Sequence, residues 1–238
     1  MRKLLAVCCL ALAVLPLRAQ QPASESFSWD QLIVPGLLIG AGTVASFSPW
    51  YQDNVDTPFQ NWALGVNGGK GFPLDNFLQF APYLGYVAAL PVESQHNWQE
   101  KSLVIGTSFS VMMVLVYSTK YLTGVTRPNS ANQRSFPSGH TALAFAGAEI
   151  VRREYGPWWG LAAYSAAVGT GFLRVYNNWH WSSDVIAGAG AGILSGMIAY
   201  WLLPLERDIF KVNNTSITAS PSYIPGVNTP VVALTFKF

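Results

Sequence analysis

The chain has 238 residues, of which half are hydrophobic and only 11% are charged. Soluble domains carry about 25% charged residues, so this composition, with nine Trp and ten Tyr, excludes an ordinary aqueous surface and indicates a lipid bilayer as a partner. The formal net charge of +2 is too small to indicate a nucleic-acid partner.

The first twenty residues have the pattern of a secretory leader. Arg2 and Lys3 precede an apolar run that ends near a small residue, so we predict a signal peptide over residues 1–20. The alternative is an uncleaved first membrane helix. Both cysteines, Cys8 and Cys9, lie inside the leader, and a mature chain would therefore offer no thiol for a disulfide, a metal site or a nucleophile.

Six apolar segments follow. A spanning helix needs about 20 mostly apolar residues, and the predicted segments cover 31–48, 75–92, 102–119, 141–151, 157–173 and 184–203. Pro and Gly interrupt the first segment, and residues 49–74 indicate a surface loop with an interfacial amphipathic helix. Glycines recur through the last segment, which favours close helix contacts inside a membrane bundle.

The character of the sequence changes after Pro204. Alternation of Leu234, Phe236 and Phe238 predicts a half-buried strand paired with residues 216–223. The predicted fold is therefore all-α, a six-helix membrane-embedded bundle with a short C-terminal β-hairpin tail. The predicted units are the signal peptide, a first hydrophobic segment with an interfacial loop or helix over 27–74, a helical core over 75–203 and a tail over 204–238.

Charged residues are scarce, so those at the ends of apolar segments are informative. Lys120 closes one segment and Arg127 follows seven residues later, which places both cations at the same membrane boundary. Taken alone, such a pair has a simpler explanation. Lys and Arg side chains near a membrane boundary often pack their aliphatic part on apolar surface and extend the charged group to the interface.

A second cluster is the run Pro137-Ser138-Gly139-His140. The first three residues predict a turn, and Ser138 can cap a helix that begins near Thr141. Free N–H groups at a helix start favour an anion such as phosphate, and a histidine there can donate a proton to a leaving oxygen. An ordinary helix cap and an interfacial histidine are the simpler alternatives.

The third cluster combines Arg174, His180 and Asp184. A carboxylate on one imidazole nitrogen fixes the tautomer and leaves the other nitrogen nucleophilic, while a guanidinium matches phosphate oxygens. Asp184 also has a simpler explanation, since an acidic residue in a first helical turn is favoured by the helix dipole. The order of the segments brings all three clusters to one membrane face, which favours a joint role.

These residues resemble the three-part signature of the type 2 phosphatidic acid phosphatase family. The matching motifs are Lys120-x6-Arg127-Pro128, Pro137-Ser138-Gly139-His140 and Arg174-x5-His180-x3-Asp184, within roughly residues 75–203. The sequence departs from the family where Leu173 replaces the usual Ser before the arginine of the third motif, which puts substrate affinity or choice in doubt.

The resemblance implies a membrane lipid phosphatase that needs no metal or other cofactor. His180 would attack phosphorus, Asp184 would orient it, and His140 would protonate the leaving oxygen. The phosphate-binding set implied is Lys120, Arg127, Ser138, Gly139 and Arg174. His96 matches no motif and reads as an ordinary loop residue.

The implied partners are the bilayer and an amphiphilic phosphorylated lipid of the phosphatidic acid, phosphatidylglycerol phosphate, polyprenyl pyrophosphate or lipid A type. Two alternatives stay open, a vanadate-dependent haloperoxidase-like enzyme and a non-catalytic phospholipid-binding membrane protein. The loops opposite the site carry five basic residues, Lys101, Arg152, Arg153, Arg207 and Lys211, against only Lys70 and Arg134 outside the motifs on the site face. The positive-inside rule therefore predicts that the site faces the periplasm, in a bacterial inner-membrane protein.

Overall fold

The protein is described here from a computed structural model. The structure describes residues 26–90, 94–212, 216–223 and 230–237, the last two ranges by their backbone alone. The predicted leader and Phe238 lie outside these residues.

The described residues form nine α-helices and one pair of strands. Two short turns complete the helical part, a 3-10 turn over Trp29–Leu32 and a π-helical turn over Gln52–Asp56. The helices are α1 (Ile33–Ser46), α2 (Pro49–Tyr51), α3 (Thr57–Asn67), α4 (Asp75–Leu78), α5 (Ala81–Ala88), α6 (Trp98–Thr123), α7 (Gly139–Tyr155), α8 (Pro157–Tyr176) and α9 (Ser182–Phe210). The predicted all-α class is confirmed for this core.

Helices α7 and α9 form the centre of the bundle. The α9 helix packs against α7, α1 and α6, while α7 also contacts α8 and α5. Helices α7 and α9 approach closely because glycine has no side chain. A Cβ atom at Gly192 would collide with the carbonyl oxygen of Ala142. Small residues at helix contacts let backbones approach in this way, as the glycine pattern predicts.

Two of the described helices are long and apolar enough to cross a membrane. These are α6, with a mean hydropathy of 1.6, and α9, with 1.7. A third span would result if Trp29–Ser46 and Pro49–Asn67, which meet at 84°, form one broken span. That bend lies at the C-terminal end of the apolar segment predicted over 31–48, whereas Pro35 and the glycines of that segment lie inside the continuous helix α1.

The segment predicted over 75–92 is not one helix. The structure divides it into α4 and α5, with a break at Gln79 and Phe80. Pro82 explains the break, because a continuous helix would need its missing N–H to bond the carbonyl of Leu78.

The last long helix extends beyond the boundary predicted at residue 204. Pro204 lies inside α9, which continues to Phe210. The loss of one backbone hydrogen bond at Pro204 is tolerated within this long, packed helix. Beyond it, strands β1 (Ser216–Tyr223) and β2 (Pro230–Lys237) pair antiparallel, with Ser216 opposite Lys237.

Helix order brings four helix ends to one end of the bundle. The C-terminal ends of α6 and α8 meet the N-terminal ends of α7 and α9 there, and hydrogen bonds link them. The Ser138 N–H donates to the Asp184 carbonyl oxygen at 3.0 Å, and the indole N–H of Trp181 donates to the Thr126 carbonyl oxygen at 2.9 Å. All three motif clusters lie at this end.

Candidate active site

His180 lies in the short loop between α8 and α9. The carbonyl oxygen of Arg174 accepts from the N–H groups of both Trp179 and His180, at 3.0 and 3.2 Å, so the loop folds back over the end of α8. Asn178 adopts a left-handed conformation with φ of 60°, which Asn tolerates better than most residues. The loop thus turns the His180 ring inward, where it is only 2% exposed.

The His180 ring contacts a buried carboxylate. Its Nδ1 atom lies 3.2 Å from Oδ2 of Asp184, and the Ser135 hydroxyl donates to the same oxygen at 2.5 Å. The backbone N–H of Trp181 donates to it as well, at 2.9 Å. Because a carboxylate accepts, Nδ1 carries the hydrogen and Nε2 keeps its lone pair. This arrangement leaves Nε2 as the nucleophilic nitrogen.

Burial and positive neighbours keep His180 unprotonated. Its pKa is held well below 6.5, first by burial and then by Lys120, Arg174, Arg127 and His140. A lowered histidine pKa means that the neutral form predominates at neutral pH, as a nucleophile requires. Residues from all three motifs therefore lie close enough to act on one imidazole ring.

The turn before α7 leaves donors free for an anion. Ser138 is the N-cap of α7, as predicted, and its hydroxyl oxygen accepts from Thr141 Oγ1 at 2.9 Å. The Ser138 O–H therefore remains available as a donor. The Gly139 and His140 amides lie in the first turn, where backbone N–H groups have no intrahelical acceptor. Backbone N–H groups at a helix start favour an anion such as phosphate, so this turn is a candidate phosphate-binding element.

Two cations border the turn from the first motif. The Lys120 ammonium donates to the carbonyl oxygens of Arg134 and Ser135 at 2.8 and 3.0 Å, which leaves one of its three donors. The Arg127 guanidinium donates to Asn132 Oδ1 through Nε at 3.1 Å and lies 5.6 Å from the Trp179 ring centre. Both cations are held by neutral groups, so neither positive charge is cancelled by these contacts.

Arg174 is fixed by a carboxylate that lies outside all three motifs. Its NH1 atom donates to Asp75 Oδ2 at 2.6 Å, and its guanidinium lies 5.5 Å from the Trp179 ring centre. The Arg174 Nε is buried and has no hydrogen-bond partner among the described residues. A buried donor of this kind needs an acceptor, and a phosphate oxygen would supply one.

His140 projects from the first turn of α7 toward α4. Its Nε2 lies 3.3 Å from the Asn76 Oδ1, and a carbonyl oxygen only accepts, so Nε2 carries a hydrogen. The pKa of His140 is lowered to about 4 by burial and then by Arg174, while Asp75 opposes the shift. A bound phosphate would raise this pKa, because its negative charge offsets the neighbouring cations.

Three site residues carry no signal in the sequence motifs. Asp75 and Asn76 open a segment that reads as apolar, and Ser135 precedes the second motif by two residues. Asp75 was missed in the sequence analysis, and the scarcity of acidic residues is the signal that could have drawn attention to it, since a lone carboxylate beside an apolar run needs a partner.

His96 corrects the sequence interpretation, which treated it as an ordinary loop residue. It is buried, and its Nδ1 lies 2.8 Å from Glu154 Oε2 at the end of the bundle away from the site. Tyr200 also donates to this carboxylate oxygen, at 3.0 Å. His96 therefore belongs to a buried polar cluster that the sequence motifs do not reveal.

The arrangement combines a nucleophilic nitrogen with an anion-binding cradle. Three cations face two carboxylates, Asp75 and Asp184, so the site keeps an excess of positive charge. Among the described residues no group of three or more His, Cys, Asp and Glu side chains is placed to hold a metal ion. Such a site can bind a phosphate group and transfer it through imidazole.

Part of the chain matches the model of a known protein family. The model of the PAP2 superfamily matches residues 101–208. That range holds the three motifs and excludes Asp75 and Asn76.

Two curated relatives align with the chain. The lipid A 1-phosphatase of Porphyromonas gingivalis is 34% identical over 158 residues, which are 64% of this chain and 36% of the relative. The bacitracin transport permease protein BcrC of Bacillus licheniformis is 33% identical over 97 residues, 40% of this chain and 46% of the relative. The chain thus spans less than half the length of either.

Two solved structures are also similar. Aquifex aeolicus LpxE has a TM-score of 0.44 and 25% identity, over 58% of this chain and 92% of that one. The PAP2-type phosphatidylglycerolphosphate phosphatase of Bacillus subtilis has a TM-score of 0.38 and 20% identity, over 76% and 88%.

Replacement of Asp75 by alanine should destabilise the site. The change leaves the buried Arg174 guanidinium unpaired, and loss of one partner from a buried ion pair costs about 3–5 kcal/mol. We expect thermal unfolding of the purified chain in detergent to shift down, and to recover in part when inorganic phosphate is added. The exposed Asp53 is the matched control, and Asp53→Ala should leave the midpoint unchanged. Equal midpoints for the two variants would contradict the structural importance of the Asp75–Arg174 pair.

Proposed function

We propose that the chain is a lipid phosphatase of the PAP2 superfamily that acts through a phosphohistidine, because residues 101–208 match the model of that superfamily and the site geometry suits this chemistry. The observation that carries the proposal is the buried His180–Asp184 pair, which lies among the cations of the first motif and Arg174 of its own motif. The chain would hydrolyse the phosphate ester or pyrophosphate of a membrane lipid.

The first chemical step is attack on phosphorus. The Nε2 lone pair of His180 forms a bond to phosphorus while the bond from phosphorus to the leaving oxygen breaks. Asp184 accepts the Nδ1–H and stabilises the positive charge that develops on the ring. His140 donates a proton to the leaving oxygen, so the lipid departs as a neutral alcohol or, from a pyrophosphate, as a lipid monophosphate.

The second step releases phosphate. His140, now neutral, removes a proton from a water molecule, whose oxygen bonds to phosphorus as the bond to His180 breaks. Throughout, the equatorial oxygens would be held by Lys120, Arg127, Ser138, the Gly139 amide and Arg174. Phosphoryl transfer depends mainly on such positioning and charge stabilisation, and a preorganised site supplies both.

A lipid phosphate fits the surroundings of the site. Aromatic and aliphatic side chains near its rim are exposed, among them Tyr121, Leu122, Phe77 and Trp179. Exposed apolar groups of this kind suit a position at the membrane interface, where acyl chains remain in lipid while the phosphate enters the cradle. The similarity to the lipid A 1-phosphatase makes lipid A a substrate to test first.

Catalysis should depend on the two residues of the buried pair. We expect the purified chain to release phosphate from at least one of phosphatidic acid, phosphatidylglycerol phosphate, polyprenyl pyrophosphate and lipid A. His180→Ala and Asp184→Asn should lower kcat at least about 1,000-fold, since the nucleophile and its orienting group act as a unit. His140→Ala should spare the attack on a substrate with a good leaving group, which needs no proton, and should slow the later release of phosphate from His180, which needs a base.

Wild-type rates in His180→Ala would remove the proposed nucleophile. No phosphate release from any lipid, together with halide oxidation in the presence of vanadate, would favour the haloperoxidase interpretation instead.

We further propose that the chain resides in the bacterial inner membrane with the site toward the periplasm. Five basic side chains lie at the helix ends opposite the site, namely Lys101, Arg152, Arg153, Arg207 and Lys211. Such a bias favours the cytoplasmic side for those ends.

The orientation can be tested by cysteine labelling in a chain with Cys8→Ser and Cys9→Ser. Ser130 is exposed at the site end and Ser102 is exposed at the other end. A membrane-impermeant maleimide should label Ser130→Cys in cells with a permeabilised outer membrane, and label Ser102→Cys only after lysis. The reverse pattern would place the site in the cytoplasm.

A further inference from the structure

Residues 49–72, which we call the strap, run along the loop that holds His180. The strap and the loop have opposite chain directions, and side chains connect them at successive points. The contacts are Tyr51 and Asp56 with Ser182, Gln60 with Asn178, Asn67 with the Tyr176 carbonyl oxygen, and the Phe72 N–H with Asn177. The strap lies outside residues 101–208, which match the family.

Asp56 makes the most extensive of these contacts. Its side chain is buried, with 1% exposed. Its Oδ1 accepts from the N–H and the hydroxyl of Ser182 at 2.8 and 2.5 Å, and its Oδ2 accepts from the Ser183 hydroxyl at 3.2 Å. Because Ser182 donates to Asp56, the Tyr51 hydroxyl at 3.0 Å donates to Ser182.

These bonds replace a missing helix cap. The N-cap residue of α9 is Trp181, whose indole has no acceptor for the first N–H groups of the helix. Asp56 satisfies the Ser182 N–H from a distant part of the chain, and its negative charge is favoured at a helix N-terminus. The first turn of α9 is therefore fixed by the strap.

That first turn carries the group that orients the nucleophile. Ser182 stands two residues after His180 and two before Asp184, whose Oδ2 contacts the His180 ring. A rotation of this turn would move the carboxylate away from Nδ1. Misplacement of a catalytic group by about 1 Å can lower a rate about 100-fold.

We propose that Asp56 is a positioning residue for phosphoryl transfer, which acts through the first turn of α9 on Asp184 and His180. The inference rests on the proposed function for its kinetic consequence. Asp56 touches neither the phosphate cradle nor the reacting atoms. Its loss should therefore lower kcat and leave KM nearly unchanged, whereas a general loss of folded protein would lower only the active fraction.

The test compares Asp56→Ala and Asp56→Asn with Asp53→Ala, which removes an exposed carboxylate from the same strap. Phosphate release is normalised to folded protein and assayed well below the unfolding midpoint. Asp56→Ala should lower kcat about 10- to 100-fold with KM within about threefold. Asp56→Asn keeps the Oδ1 acceptor for Ser182 and should restore most of the rate. Asp53→Ala should match wild type.

Hydrogen–deuterium exchange supplies a readout that needs no activity. Peptides over residues 176–184 should exchange faster in Asp56→Ala than in Asp53→Ala, because the Ser182 N–H has lost its acceptor. If Asp56→Ala does not fold, Asp56→Asn and Ser182→Ala, which keeps the N–H but loses the hydroxyl bond, carry the comparison.

The two readouts separate failure of this inference from failure of the proposed function. Wild-type kcat in Asp56→Ala, or unchanged exchange in the loop, would overturn the positioning role. A wild-type chain that releases no phosphate from any lipid would end the proposed function, and loop exchange alone would then decide whether Asp56 fixes the turn.

Discussion

The site depends on how closely the start of α7 approaches the start of α9. The Ser138 N–H and the Asp184 carbonyl oxygen form a backbone hydrogen bond there, which joins the turn proposed to bind phosphate to the helix that carries the carboxylate proposed to orient His180. The contact requires Gly188, since a Cβ atom there would lie 2.6 Å from the Ser138 carbonyl oxygen. A side chain at this point would move Ser138 and its turn away from Asp184 and the neighbouring His180. The small residues of α9 therefore serve the site as well as the bundle.

The second constraint is the cost of charge in an apolar chain. Four ionisable residues of the site are buried, namely Lys120, Arg174, Asp184 and His180. A buried charge is tolerated only when it is paired or hydrogen-bonded. Carbonyl oxygens hold Lys120 and a carboxylate holds Arg174, so each cation is placed before a substrate arrives. The positive excess that remains is the electrostatic condition for binding a phosphate dianion, and it also keeps the His180 imidazole neutral.

The three motifs could be recognised in the sequence because the residues of each motif lie close together along the chain. Ser138 and its helix, or His180 and Asp184, lie within one or two turns of each other, and such patterns can be read from residue types. Asp56 and Asp75 could not be found in this way, since each meets its partner only after the chain has folded. Pro82 did carry a signal, and the break between α4 and α5 follows from its missing N–H. The burial of His96 depends on Glu154 from another helix, which no local pattern reveals.

Trapping of the phosphoenzyme tests most directly whether the phosphoryl group is transferred to His180. The full chain would be mixed with a substrate that has a good leaving group, quenched at alkaline pH where phosphohistidine survives, and digested for mass spectrometry. His140→Ala should raise the trapped amount, because hydrolysis of the intermediate needs a base. We expect the phosphate on His180. Phosphate on another side chain, or turnover with inversion at phosphorus and no trapped intermediate, would contradict it.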